Sequence, residues 1–145
     1  VPFVKTLMKS VSNRAQQRGQ IRTLLGRLCR FHLWEPNRFG INKALPFEQA
    51  VQEHGQGNIR RAYTYKALNK LIQGSAADMT KKSMLDLYKE GIIAHIQIHD
   101  ELDLSVESPE QAKKVVEIME NAVKLDVPNK VDYESGKNWG DIYDK

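Results

Sequence analysis

Only one cysteine, Cys29, occurs in the 145 residues, which excludes an intramolecular disulfide and every multi-cysteine metal site. His95 and His99 lack zinc-ligand spacing to another histidine or cysteine, so a zinc site is not expected either. No apolar run approaches the roughly 20 residues that a bilayer span requires. The opening VPFVKTLMKS has a broken apolar stretch and no signal-peptide core, so a secretory leader is not expected there. Internal repeats and low-complexity linkers are missing as well. What remains is 41% apolar and 28% charged, the balance of an ordinary soluble globular chain. The length fits at most one domain and suffices to bury a core without staples.

Acid is missing from one end. Residues 1–34 hold seven cations (Lys5, Lys9, Arg14, Arg18, Arg22, Arg27 and Arg30) and no carboxylate, while residues 99–145 hold twelve acids against six lysines. The net charge of +4 conceals this polarity. An uncompensated basic end points to a polyanionic partner. A merely solvated basic helix is the plain alternative, and charge alone does not choose between them.

Phe3, Leu7, Met8 and Val11 recur at helical spacing, which predicts a helix over 3–18 stopped by Gly19. QIRTLLGRLCRFHLW reads as a hairpin turning near Leu25-Gly26. Pro36, Asn37, Gly40 and Asn42 mark residues 35–45 as loop, and Pro46 opens a short helix, PFEQAVQEH, that Gly55 and Gly57 close. From about Ile59 to Glu90 the pattern is helical throughout. Gly74 interrupts it at about 1 kcal/mol relative to alanine, which predicts a kink or a close approach by a helix or a nucleic acid. Gly91 ends this helix.

IIAHIQI then alternates, with Ile92, Ala94, Ile96 and Ile98 on one face. LDLSV follows with Leu102, Leu104 and Val106 on one face, so the two runs form a tight antiparallel hairpin around His99-Asp100-Glu101. Ser108 and Pro109 supply the N-cap and first turn of a helix whose stripe is Ala112, Val115, Val116, Met119, Ala122 and Val123. Val127 to Tyr133 reads as a final strand, and 134–145 as tail. The class is α+β.

Asp100 and Glu101 at a hairpin tip have the chemistry of a metal-dependent phosphoryl-transfer site. Two divalent ions held about 3.5–4 Å apart activate the attacking oxygen and stabilise the leaving one. Mg²⁺ favours carboxylate oxygens together with water and phosphates. Acids are nevertheless common at exposed turns, so the pair alone does not establish a site.

Three separated stretches resemble the C-terminal part of family A DNA polymerases, the group of bacterial DNA polymerase I and its phage relatives. KALNKLIQGSAADMTKKSM is similar to the palm helix that touches the minor groove of the primer–template. QIHDELDLSV is similar to motif C, the palm hairpin with the His-Asp-Glu turn. LDVPNKVDYESGKNWGDI is similar to the closing strand and tail, and GQIRTLLGRLCRF more weakly to the hairpin after the fingers. Together they span nearly the whole chain. The resemblance implies an antiparallel palm-type sheet packed against long helices, with residues 1–145 as C-terminal palm and about 1–60 as the segment following the fingers.

The resemblance further implies that Asp100 ligates catalytic Mg²⁺, that Glu101 is an auxiliary acid and that His99 contacts the primer terminus. Asn69 and Gln73, one helical turn apart, would donate to minor-groove acceptors that are placed alike on every correct pair. Small residues after Gln73 would admit the duplex closely, and Arg27, Lys5 and Lys9 would contact backbone phosphates. Tyr65 stands where bacterial relatives place an arginine, which puts one DNA contact in doubt. Asp103 replaces a usually apolar residue and reads as solvated, not as a third ligand.

Motif A, with the second metal-binding aspartate, and the fingers helix that binds the incoming dNTP have no counterpart in these residues. The expected partners are therefore primer–template DNA, dNTP and a polymerase segment carrying fingers and motif A, from a split gene or a longer chain. No membrane partner is expected. The chain by itself is expected to be inactive, and its location to be the cytoplasm of a bacterial or phage-infected cell. The alternative is a non-catalytic nucleic-acid-binding module derived from the palm.

Overall fold

The computed structural model describes residues 2–40 and 42–143, so Ile41 of the expected loop and the last two residues of the expected tail lie outside the described residues. The chain divides into two compact units, residues 1–78 and 79–145. Both are α+β, and each contributes short antiparallel ladders leaning on helices.

The first unit opens with α1 (Pro2–Arg18), whose inward positions are Leu7, Val11 and Ala15. Gly19 ends it at φ 67°, with its N–H donating to the Ala15 carbonyl at 2.9 Å. That left-handed cap is open to glycine at no steric cost. Strands β1 (Gln20–Arg22) and β2 (Leu28–Arg30) pair antiparallel, Ile21 opposite Cys29. Ile21 and Phe31 pack with Val11, Ala15 and Ala67 as the core of this unit.

A second ladder was not legible. Strands β3 (Trp34–Pro36) and β4 (Ile59–Arg61) pair antiparallel where the sequence predicts loop and helix respectively. Side chains explain the pairing. Arg60 Nε donates to Glu35 Oε1 at 2.9 Å, and the Arg61 guanidinium lies 4.5 Å from the Trp34 ring centroid while donating to the Phe31 carbonyl at 2.9 Å. Between these strands comes α2 (Phe47–His54), with Pro46 as its N-cap residue and Gly55 as its C-cap at φ 80°. Trp34 and Phe47 meet with ring centroids 5.1 Å apart. The long helix α3 (Ala67–Lys89) therefore starts eight residues later than the pattern predicts, after a 3-10 turn at Thr64–Lys66. It runs unbroken through Gly74.

The second unit begins within α3. Gly91 sits at φ 76°, its N–H donating to the Tyr88 carbonyl and that of Ile92 to the Leu87 carbonyl, both at 3.0 Å. This is a Schellman stop, in which the residue after the glycine packs back on the last turn. Ile92 and Leu87 do so in one cluster with Val115.

Strands β5 (Ile96–Ile98) and β6 (Glu101–Asp103) are shorter than the alternation predicts. Ile92 is buried as expected, whereas Ile96 is 46% exposed. Leu102 and Leu104 both pack on the Leu87 cluster, as the period of two requires. Helix α4 (Pro109–Asn121) is capped by Ser108 Oγ accepting from the Gln111 N–H at 3.2 Å, and it buries Ala112 and Val115. The expected strand at 127–133 does not form. Instead the Val131 N–H donates to Glu120 Oε1 at 3.2 Å and Asn129 Nδ2 to the Met119 carbonyl at 3.4 Å, so α4 side chains and carbonyls take the place of a ladder. Within the expected tail, α5 (Gly140–Tyr143) adds one helical turn.

Candidate functional site

Ile98 pairs with Glu101, so the β5–β6 hairpin closes through a two-residue loop, His99-Asp100, and not through three polar residues. His99 adopts φ 51°. A positive φ at the first loop position suits a two-residue hairpin, because its backbone follows the twist of the flanking strands. Histidine is among the non-glycine residues enriched there. Gln97 Nε2 donates to the His99 carbonyl and so ties the loop to β5.

Glu101 is thus the first residue of β6, while Asp100 stands at the tip. His99, Asp100 and Glu101 are all exposed. Neither carboxylate has a hydrogen-bond or ion-pair partner among the described residues. Asp103 is half-buried, not freely solvated, and its carbonyl accepts from the His95 N–H at 2.8 Å. On the same hairpin His95 Nε2 lies 3.1 Å from Ser105 Oγ, the satisfied polar role of a strand histidine. Among the described residues no group of three or more His, Cys, Asp or Glu side chains converges. Asp100 and Glu101 are therefore uncommitted carboxylates, the oxygen-donor chemistry that Mg²⁺ favours, and they do not form a ligand cluster among the described residues.

In the first unit, Asn69 and Gln73 are both exposed on α3, four residues apart on one face. Lys5 and Lys9 are exposed on α1 with the same spacing. Arg27 is differently placed. Its Nε donates to Asp78 Oδ1 at 2.6 Å and its Nη2 to the Gly74 carbonyl at 2.9 Å, leaving the side chain 49% exposed. The guanidinium is thereby docked on α3 beside the residue that follows Gln73, and only its outer edge remains for a phosphate.

The close approach predicted at Gly74 is real, but its cause is internal. A Cβ there would stand 3.0 Å from Thr23 Cγ2 and 3.2 Å from Arg27 Nη2, so the β1–β2 hairpin occupies the space read as open to a duplex. Ser75 likewise serves the hairpin, its Oγ accepting from the Leu24 N–H at 2.9 Å. Asp78, which the sequence reading passed over, binds both Arg27 and the Thr23 hydroxyl, the latter at 2.5 Å. Its bonding partners lie more than fifty residues away in sequence, so no local spacing signalled them.

Comparison with known proteins identifies the family of the chain. A family profile described as DNA polymerase family A matches residues 1–141. The chain is 38% identical over 140 residues to a DNA-directed DNA polymerase of Pseudomonas phage M6, covering 97% of this chain and 18% of that protein. It is also 38% identical over 149 residues to DNA polymerase I of Bacillus caldotenax, covering 97% of this chain and 15% of that protein. Among solved structures, the POL domain of Pol1 from M. smegmatis, in complex with DNA primer-template and dNTP, superposes with a TM-score of 0.58 at 30% identity, over 86% of this chain and 20% of that one. The chain belongs to DNA polymerase family A. It spans less than a fifth of the length of these two sequence relatives. No helix among the described residues is long and apolar enough to cross a membrane.

Proposed function

We propose that residues 1–145 are the C-terminal palm portion of a DNA-directed DNA polymerase, with about 1–60 as the segment following the fingers. The observation that carries this reading is the tight hairpin turn, which presents Asp100 in its two-residue loop and Glu101 at the start of β6, both exposed and unpaired among the described residues. Asp100 would be a Mg²⁺ ligand, Glu101 an auxiliary acid, and His99 the contact to the primer terminus. The bound metal would supply Lewis-acid activation of the attacking hydroxyl and stabilisation of the leaving pyrophosphate. Asn69 and Gln73 would read minor-groove acceptors, which report the shape of a pair and not its sequence. Lys5, Lys9 and the outer edge of Arg27 would meet backbone phosphates.

One aspartate does not hold two divalent ions against a triphosphate. The second metal-binding aspartate and the dNTP-binding fingers would therefore come from a segment outside this sequence, and the chain alone would not extend a primer. The Pol1 domain, solved with primer-template and dNTP, supports DNA and dNTP as the partners. The test is primer extension with Mg²⁺ after the chain is combined with a segment carrying fingers and motif A. Asp100→Ala is expected to abolish nucleotide addition there while duplex binding stays nearly intact. Unchanged extension by that variant would leave the chain as a binding module without a catalytic part.

A further inference from the structure

We infer that Asp78 is a positioning residue for the recognition of a correct base pair. It fixes Arg27 of the β1–β2 hairpin against the α3 segment that carries Gln73. The inference rests on the minor-groove reading of Gln73 above and adds the residue that sets its alignment.

Asp78 and Thr23 are both buried. With Arg27 they close a ring of hydrogen bonds. The Arg27 backbone N–H donates to Thr23 Oγ1 at 3.0 Å, and that hydroxyl donates to Asp78 Oδ2 at 2.5 Å. Arg27 Nε completes the ring by donating to Asp78 Oδ1 at 2.6 Å. Both carboxylate oxygens thus engage a single turn of the hairpin. The ring in turn aims the guanidinium, whose Nη2 donates to the Gly74 carbonyl at 2.9 Å. Ser75 adds a second tie, accepting from the Leu24 N–H at 2.9 Å while donating to the Leu71 carbonyl at 2.7 Å.

These anchor points fall at residues 71, 74, 75 and 78, one row along α3. Asn69 and Gln73 lie on the adjoining row and are exposed. Gly74 lets the hairpin stand this close to Gln73, since a Cβ there would be 3.0 Å from Thr23 Cγ2.

Holding a hairpin on a helix does not require such a ring. Ile21 and Phe31 already do so by apolar packing with Val11, Ala15 and Ala67. Dispersion contacts are non-directional and tolerate a small slide, whereas hydrogen bonds weaken steeply with angle and distance. A closed buried network therefore fixes register where packing only holds elements together. Register matters to a reader of pair shape. An error of about 1 Å in placement costs on the order of a hundredfold where geometry decides the outcome.

The test compares extension of matched and mismatched primers by the chain combined with a segment carrying fingers and motif A. Discrimination is the ratio of the two efficiencies. Asp78→Asn keeps the size of the side chain and one acceptor oxygen, and is expected to lower discrimination roughly fivefold. In a Gln73→Ala background it is expected to lower it no further, because both changes act on one contact. Thr23→Val, which opens the ring but leaves the Arg27–Asp78 bond, is expected to lower discrimination by a smaller factor. Val11→Ala weakens the core of the same unit without touching the ring and is expected to keep the native ratio. Circular dichroism checks that each variant is folded.

A native ratio in Asp78→Asn overturns the inference, as does a fully additive loss in the double variant. So does a Val11→Ala ratio as low as that of Asp78→Asn, which would make the effect one of general stability. If Asp78→Asn does not fold, Thr23→Val decides by the same comparisons. Loss in Gln73→Ala beside a native Asp78→Asn overturns this inference alone. Native discrimination in Gln73→Ala overturns the minor-groove reading and this inference with it.

Discussion

Arg27 Nε donates to Asp78 Oδ1 at 2.6 Å, joining the turn of the β1–β2 hairpin to the middle of α3 across fifty-one residues of sequence. The carboxylate is buried and the guanidinium half-exposed, so the two partners are not equivalent. Removing the acid leaves Arg27 only its bond to the Gly74 carbonyl and takes the acceptor from the Thr23 hydroxyl, which donates to the other carboxylate oxygen. Solvent reaches the arginine and moderates the loss. Asp78→Ala is therefore expected to destabilise the fold by about 1–3 kcal/mol, short of the cost of breaking a fully buried pair. Urea denaturation reads this as a lower midpoint at unchanged slope. An unshifted midpoint would mean that the pair contributes no net stability.

Gly74 tests the same junction from the opposite side. In an isolated helix, alanine would gain about 1 kcal/mol over glycine. Here the added Cβ meets Thr23 Cγ2 at 3.0 Å and Arg27 Nη2 at 3.2 Å, and both of those side chains are held by Asp78. Neither can yield without loosening its bond to the carboxylate. Gly74→Ala is expected to be net destabilising in the native background and milder in the Asp78→Ala background, where the hairpin is free to shift. The double-mutant cycle measures that coupling. Strict additivity would show that the hairpin accommodates the methyl group without disturbing Asp78.

The contrast between what was and was not legible follows from range. Helices α1 and α4, the Gly19 and Gly91 stops, the Ser108 cap and the motif-bearing hairpin all rest on local signals, namely spacing, capping and alternation. The β3–β4 ladder rests on Arg60 reaching Glu35 and Arg61 stacking on Trp34, pairs about twenty-five residues apart with no period to announce them. The strand expected at 127–133 failed for the complementary reason. Val127 and Val131 have β propensity, but propensity needs a partner strand, and the backbone found α4 instead. At the candidate site, turn chemistry singled out Asp100 and Glu101, while His99, Asn69 and Gln73 entered through the family resemblance. Neither showed that Glu101 belongs to a strand or that the glycine after Gln73 makes room for a hairpin.

Gln73 lies on the exposed face of α3, away from that hairpin bond network, and no core cluster includes it. Its loss should therefore leave stability within about 0.5 kcal/mol of native. In the reconstituted enzyme, Gln73→Ala is expected to lower extension efficiency and to weaken discrimination at a mismatched primer terminus. The measurement is extension from matched against mismatched primers, alongside a urea midpoint. A native mismatch response would count against the minor-groove role, while a shifted midpoint would assign the residue a structural one.

Lys5 and Lys9 separate a phosphate-binding surface from a solvated basic face. Both are exposed on α1, one turn apart, while Leu7, Val11 and Ala15 carry the packing of that helix. Each lysine that neutralises a DNA phosphate releases counterions and contributes about 0.9 to the slope of log affinity against log salt. Replacing both with glutamine is expected to flatten that slope by nearly two and to weaken binding alike on unrelated duplex sequences. The urea midpoint should not move, because neither side chain is packed. Arg27→Gln provides the contrast, since its guanidinium also docks Asp78 and the Gly74 carbonyl and should cost stability as well as salt slope. A slope unchanged by the double lysine variant returns α1 to a solvated helix and leaves the acid-free start of the chain without a role in DNA binding.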